Sequence, residues 1–220
     1  MTDAALTREL LALEAEIARC RVCRDAPRGR PLPHEPRPVV RPSATARILV
    51  AGQAPGTRVH ASGLPFTDAS GDRLRAWMGV PPEVFYDRAR VAILAMGFCF
   101  PGHDAHGGDL PARRECAPLW RPRLMAAQPA IDLVLAVGRP AQAWHLGRDA
   151  RPSLTETVAA WREILTRDVR PLVLPLPHPS WRNTGWLKRH PWFEAELVPE
   201  LRRLVAERVA HAPDGPEFGN

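Results

Sequence analysis

Four cysteines, a glycine-rich turn and one histidine set between prolines carry the chemistry open to this sequence. Cys20 and Cys23 form a C-x2-C pair, and Cys99 and Cys116 form a second pair with 16 residues between them. A C-x2-C puts two thiolates on one metal or cluster, and two more from a distant loop complete four-sulfur ligation. Zinc and a 4Fe-4S cluster both fit that count, although zinc ribbons close with another C-x2-C rather than a wide pair. Two structural disulfides suit a reducing compartment poorly. His178, in Pro177-His178-Pro179-Ser180, cannot be helical filler. An imidazole there can donate to negative charge developing on a substrate. Gly52-Gln53-Ala54-Pro55-Gly56 offers backbone N–H groups, with glycine permitting close approach of a ligand. Beyond His178, the stretch Ser180 to His190 interleaves Trp181, Trp186 and Leu187 with Arg182, Lys188 and Arg189, a mixture suited to nucleic acid. His103, Asp104, His106 and Asp109 fall in a short Gly-rich stretch and read as a solvated loop rather than a metal site.

These groups need elements to position them, and four apolar runs supply a sheet. Ile48 to Ala51, Val91 to Met96, Leu133 to Val137 and Leu172 to Leu176 are continuous rather than alternating, the pattern of strands buried on both faces. Each ends in a Gly or Pro motif. Helical stretches are predicted over 3–19, 70–79, 111–127, 139–147, 154–167 and 192–209. In the first, Leu6, Leu10, Leu13 and Ile17 recur near a 3.6-residue period. Residues 24–46 hold six prolines, so an extended connection is expected there. Strands alternating with helices predict an α/β fold, a parallel sheet with helices on both faces. In such sheets ligands bind beyond the carboxyl ends of the strands. The motifs at Gly52, Gly97 and His178 are therefore expected to meet along one edge.

The 220 residues are 45% hydrophobic with a formal net charge of +6, which suits a globule and excludes disordered and collagen-like chains. No apolar run approaches the roughly 18 to 20 residues of a membrane span. The polar N-terminus lacks the pattern of a signal peptide, so a cytoplasmic protein without a membrane partner is expected. The basic balance favours an acidic partner such as nucleic acid. Arginine makes up all but one of the 30 basic residues, which also fits a coding bias. One domain over residues 1–210, with a flexible tail at 211–220, accounts for the whole pattern.

Gly52-Gln53-Ala54-Pro55-Gly56, followed by Gly63-Leu64-Pro65-Phe66 and later by His178-Pro179-Ser180, resembles the uracil-DNA glycosylase superfamily. The order and spacing of the cysteines resemble its iron-sulfur (family 4) branch. The resemblance spans about Leu10 to Val209 and implies a four-stranded parallel sheet between helices, usually in a monomer. It implies hydrolysis of the N-glycosidic bond of uracil or a related deaminated base in DNA, during base excision repair. It assigns a 4Fe-4S cluster to Cys20, Cys23, Cys99 and Cys116. His178 would donate to the base, Phe66 would stack on it, and Gly52, Ala54, Pro55, Gly56 and Ala95 would line its pocket. Ser180, Trp181, Arg182, Lys188 and Arg189 would meet DNA, with Trp181 or Leu187 as the wedge that fills the vacated stack.

Two positions depart from the family pattern. Where the iron-sulfur branch has Glu this chain has Gln53, and where the best-known branch has a water-positioning Asp it has Ala54. Neither side chain accepts a proton at neutral pH. The Asn that reads the uracil edge in many members is replaced by Ala95, which leaves base reading to main chain or to Gln53, whose amide donates and accepts. Asp68 and Asp72 are the substitute candidates for positioning water. A catalytically weak or inactive glycosylase-fold DNA-binding protein is the alternative, and an iron-sulfur redox carrier a third reading.

Overall fold

A computed structural model describes residues 3–210. The expected tail at 211–220 lies outside the described residues. In chain order the elements are α1 (Asp3–Ala18), α2 (Val22–Asp25), β1 (Ile48–Ala51), α3 (Thr57–Ser62), α4 (Ala69–Met78), α5 (Pro82–Phe85) and β2 (Val91–Ile93). Then follow α6 (Cys116–Ala126), β3 (Leu133–Val137), α7 (Arg139–Leu146), α8 (Leu154–Ala159), α9 (Trp161–Leu165), β4 (Leu172–Leu176), α10 (Thr184–Arg189) and α11 (Val198–Val209). The four strands are all parallel, in the order β2-β1-β3-β4.

Successive side chains on a strand point to opposite faces, so each apolar run feeds two cores at once. Ile48 and Val50 join Leu133, Leu135, Leu174 and Leu176 under Leu74 and Trp77 of α4, Trp161 of α9 and Leu201 of α11. On the other face Leu49, Ala51, Ala92 and Ala136 meet Leu10, Leu13 and Ile17 of α1 and Trp120 and Leu124 of α6. The result is the expected three-layer α/β sandwich with a four-stranded parallel sheet. Alanines dominate this second face near the strand ends, which lets α6 and the cysteine-bearing segment sit close to the sheet.

The proline-rich connection does specific work. Arg41 pairs antiparallel with Ile93, exchanging backbone hydrogen bonds of 3.0 and 2.8 Å, and the Val39 N–H reaches the Phe98 carbonyl. It thereby covers the outer edge of β2, which would otherwise expose unpaired backbone. The second apolar run, Val91 to Met96, is shorter as a strand than predicted. β2 stops at Ile93 because the carbonyls of Leu94 and Ala95 turn to the guanidinium of Arg121, at 2.8 and 2.7 Å. Three helix predictions also shift. The stretch 111–127 becomes helical only from Cys116, because residues 112–113 close over Gly97. The stretch 154–167 breaks at Ala160, whose ψ of 9° leaves the helical region. The stretch 192–209 starts as a π turn over Phe193–Leu197. Among the described residues no helix is long and apolar enough to cross a membrane.

Candidate active site

Beyond the carboxyl ends of β1, β2 and β4 lies a cleft of about 450 Å³. It gathers Gly52, Gln53, Ala54, Pro55 and Gly56 from the turn after β1, Phe66 and Asp68 from the approach to α4, Ala95 after β2, and His178 after β4. The turn after β1 and His178 therefore share one site, as the sheet topology requires, while Gly97 itself does not line it and its motif reaches the cleft through Pro101, with Ala95 just before it.

His178 is held by its own turn. Its Nδ1 accepts the Ser180 backbone N–H at 3.2 Å, and its carbonyl accepts from the Asn183 side-chain amide at 2.7 Å. With Nδ1 occupied as acceptor, the neutral ring carries its proton on Nε2. Burial lowers the imidazole pKa from its ordinary value, and the carboxylates of Asp68 and Asp109 oppose that shift. His178 is therefore a neutral hydrogen-bond donor near pH 7.

Phe66 takes the left-handed region at φ 57°. The strained turn is fixed by its carbonyl, which accepts the Tyr86 hydroxyl at 2.8 Å and the Arg75 guanidinium at 3.1 Å. That carbonyl also sits against Gly71, where a Cβ would stand only 1.8 Å from the oxygen. The ring packs over Gly52, 3.3 Å from where a Cβ would be, and meets Phe85 edge-on. Thus two glycines make room for this aromatic at the cleft wall. A third, Gly138 at φ +82°, lies under Gln53, and a Cβ there would stand 2.3 Å from the Gln53 amide nitrogen.

Asp68 and Asp72 part company. Asp68 lines the cleft and also caps α4, its carboxylate accepting the Gly71 N–H at 3.2 Å. Asp72 is exposed and paired with Arg75 at 2.6 Å, so it is no candidate for positioning water. The segment after His178 also differs from a simple loop. It forms a 3-10 turn over Trp181–Asn183 and then α10. Ser180, Trp181 and Arg182 line the cleft, and Trp181 is 74% exposed with Arg182 stacked on its ring. Lys188 and Arg189 are exposed at the end of α10 and do not line the cleft. Leu187 packs against the core, which removes it as a wedge, and Trp186 is buried with its indole N–H on Thr155.

Comparison with protein-family models matches the Uracil DNA glycosylase superfamily over residues 39–202. The chain belongs to this superfamily. At family level that carries a uracil-DNA glycosylase-like function, a DNA-repair hydrolase acting on DNA.

Two residues of this glycosylase cleft had no distinctive sequence signal. Asn183 fixes the His178 turn from five residues away. Asp109, read from sequence as part of a solvated loop, reaches the cleft wall and lies against Gly56. Only the tertiary approach of the 103–109 loop to the turn after β1 brings it there.

The four cysteines line one small cavity between α1, the proline-rich connection and α6, together with Ile17, Pro36, Pro38 and Trp120. Burial pushes the thiols of Cys99 and Cys116 up to about 12, and both feel Cys20 and Cys23 as neighbouring charges. Among the described residues no group of three or more His, Cys, Asp or Glu is set to hold a single metal ion.

Proposed function

We propose that the protein hydrolyses the N-glycosidic bond of uracil or a related deaminated base in DNA, as a monofunctional glycosylase. The observation that carries this reading is His178, a neutral imidazole with its Nε2–H free to donate in a cleft walled by Phe66. A base inside a duplex cannot be reached, so the target nucleotide is extruded into the cleft. Phe66 stacks on the base, and Trp181, the most exposed large side chain at the rim, fills the gap left behind. Ser180 and Arg182 contact phosphate beside it. As the bond to C1′ stretches, negative charge gathers on the base and the His178 donor stabilises it, a contribution worth about 2.7 to 4 kcal/mol. With Ala95 in place of an amide, the Gln53 side chain and the main chain of residues 52–56 read the base edge.

The residues fit a 4Fe-4S cluster held by Cys20, Cys23, Cys99 and Cys116. All four thiols line one cavity, and the wide second cysteine pair suits a 4Fe-4S cluster better than a zinc ribbon. A bound cluster would tie the α1–α2 junction and α2, the segment after β2 and α6 together. Burial already raises the Cys23, Cys99 and Cys116 thiols, so thiolates there depend on bound metal.

A panel of oligonucleotides carrying uracil opposite G or A or in single strands, hypoxanthine, or xanthine tests the activity on protein purified without oxygen. Alkali-labile cleavage of at least one supports the reading. Salt-sensitive DNA binding with no cleavage of any would establish the non-catalytic alternative. On the same sample, iron and acid-labile sulfide support the cluster, and stoichiometric zinc in colourless protein rules it out.

A further inference from the structure

The loop between Cys99 and Cys116 is built rather than slack. The Leu110 N–H bonds the Gly102 carbonyl at 2.9 Å, the Asp104 N–H bonds the Gly108 carbonyl at 2.7 Å, and His103 and Asp109 pair antiparallel between them. At the tip the Asp104 carboxylate accepts the His106 and Gly108 N–H groups at 2.8 and 2.9 Å. These bonds hold its pKa below the ordinary carboxylate value, and Arg182 across the cleft adds to the effect. Within this frame the His103 ring has a partner on each nitrogen. Nδ1 lies 3.2 Å from Asp109 Oδ1, and Nε2 lies 3.1 Å from the Thr57 hydroxyl at the start of α3. The second oxygen of Asp109 turns to Gly56, the last residue of the turn that walls the cleft.

Glycosidic hydrolysis needs a group to hold the attacking water, and Gln53 and Ala54 cannot accept its proton. Asp68 is committed to capping α4 through one oxygen. Asp109 is the other carboxylate in the cleft, and both carboxylates act on His178. Taking the glycosylase reaction as proposed above, we infer that Asp109 is the catalytic carboxylate that positions and deprotonates the attacking water, with His103 as its positioning residue. The bond between C1′ and the base nitrogen breaks with its electron pair leaving on the base, where the His178 Nε2–H stabilises the charge. The water oxygen bonds C1′, its proton passes to the Asp109 carboxylate, and the base anion takes a proton from solvent. The loop thus replaces the acidic residue that the turn after β1 lacks.

Single-turnover cleavage of the preferred base, with affinity measured on DNA carrying the non-cleavable 2′-fluoro nucleotide, tests the assignment in the full chain. Asp109→Asn is nearly isosteric, and an unchanged melting temperature confirms its fold. The expected result is a rate about a hundredfold lower or more with little change in affinity. His103→Ala should lower the rate in the wild-type background and add nothing in the Asp109→Asn background, whereas a merely structural role would cost the same in both. A cleaving wild type whose Asp109→Asn variant stays within about threefold overturns the assignment alone. A wild type that cleaves no deaminated base removes the reaction itself and this role with it.

Discussion

Gly71→Ala tests whether the cleft wall is held as described. The new Cβ would stand 1.8 Å from the Phe66 carbonyl oxygen and 2.6 Å from its carbon, both backbone atoms, so the 65–67 turn must move. Forced overpacking of this kind costs about 1–3 kcal/mol. The shift also weakens the bonds from Tyr86 and Arg75 to that carbonyl, at about 1 kcal/mol each. Against this, alanine gains about 1 kcal/mol over glycine in a helix. The net loss is about 2–4 kcal/mol, or a melting temperature lower by about 4–16 °C for a chain of this size. Gly185→Ala is the control, because Gly185 in α10 has nothing within 4 Å of its would-be Cβ and should gain stability. Thermal unfolding followed by circular dichroism reads both. A Gly71→Ala protein that melts at or above the wild type refutes the reasoning, since propensity alone would then decide.

Further outcomes follow from other parts of the molecule. Arg121 is 1% exposed, and burial lowers its pKa to about 10; Arg121→Met strips the Leu94 and Ala95 carbonyls of their donor and should cost about 2–4 kcal/mol of stability, read as a lower urea midpoint at unchanged slope. Burial, with Arg121 beside it, holds His145 down to about 3, so it stays neutral in the fold while the unfolded chain binds a proton below about 6.5. Its contribution is complete above that value and shrinks as pH falls towards 3, by up to about 1.4 kcal/mol per unit, so His145→Gln should flatten the stability profile between about pH 6.5 and 5. At the rim, Arg182→Ala should reduce the salt slope of DNA binding by about one, and Trp181→Ala should cost about 1–3 kcal/mol of affinity without that change in slope.

What the sequence showed depends on how local the cause is. The runs at Ile48 and Leu133 became strands at the expected bounds because both faces of a central parallel strand are apolar whatever lies around them, and the edge strand from Leu172 kept its bounds as well. The run at Val91 was cut short by a side chain 27 positions away, the Leu94 carbonyl going to Arg121, which no window around it reveals. Gly52 to Gly56, Phe66, Asp68, Ala95 and His178 meet in the cleft because strand ends in such a sheet converge. Lys188 and Arg189 were expected beside Arg182, but α10 carries them past the cleft, a helix that Gly185 and the surrounding aromatics conceal. Asp109 looked like a solvated loop residue because the loop's approach to Gly56 is tertiary.

The central claim is that His178 stabilises the departing base. It is tested most directly by single-turnover cleavage of a uracil-containing single strand by the wild type and by His178→Ala, with the enzyme in excess. The account predicts an alkali-labile site in the wild type and a rate about 10²–10³-fold lower in the variant, with DNA binding retained. Equal rates in the two proteins would contradict it.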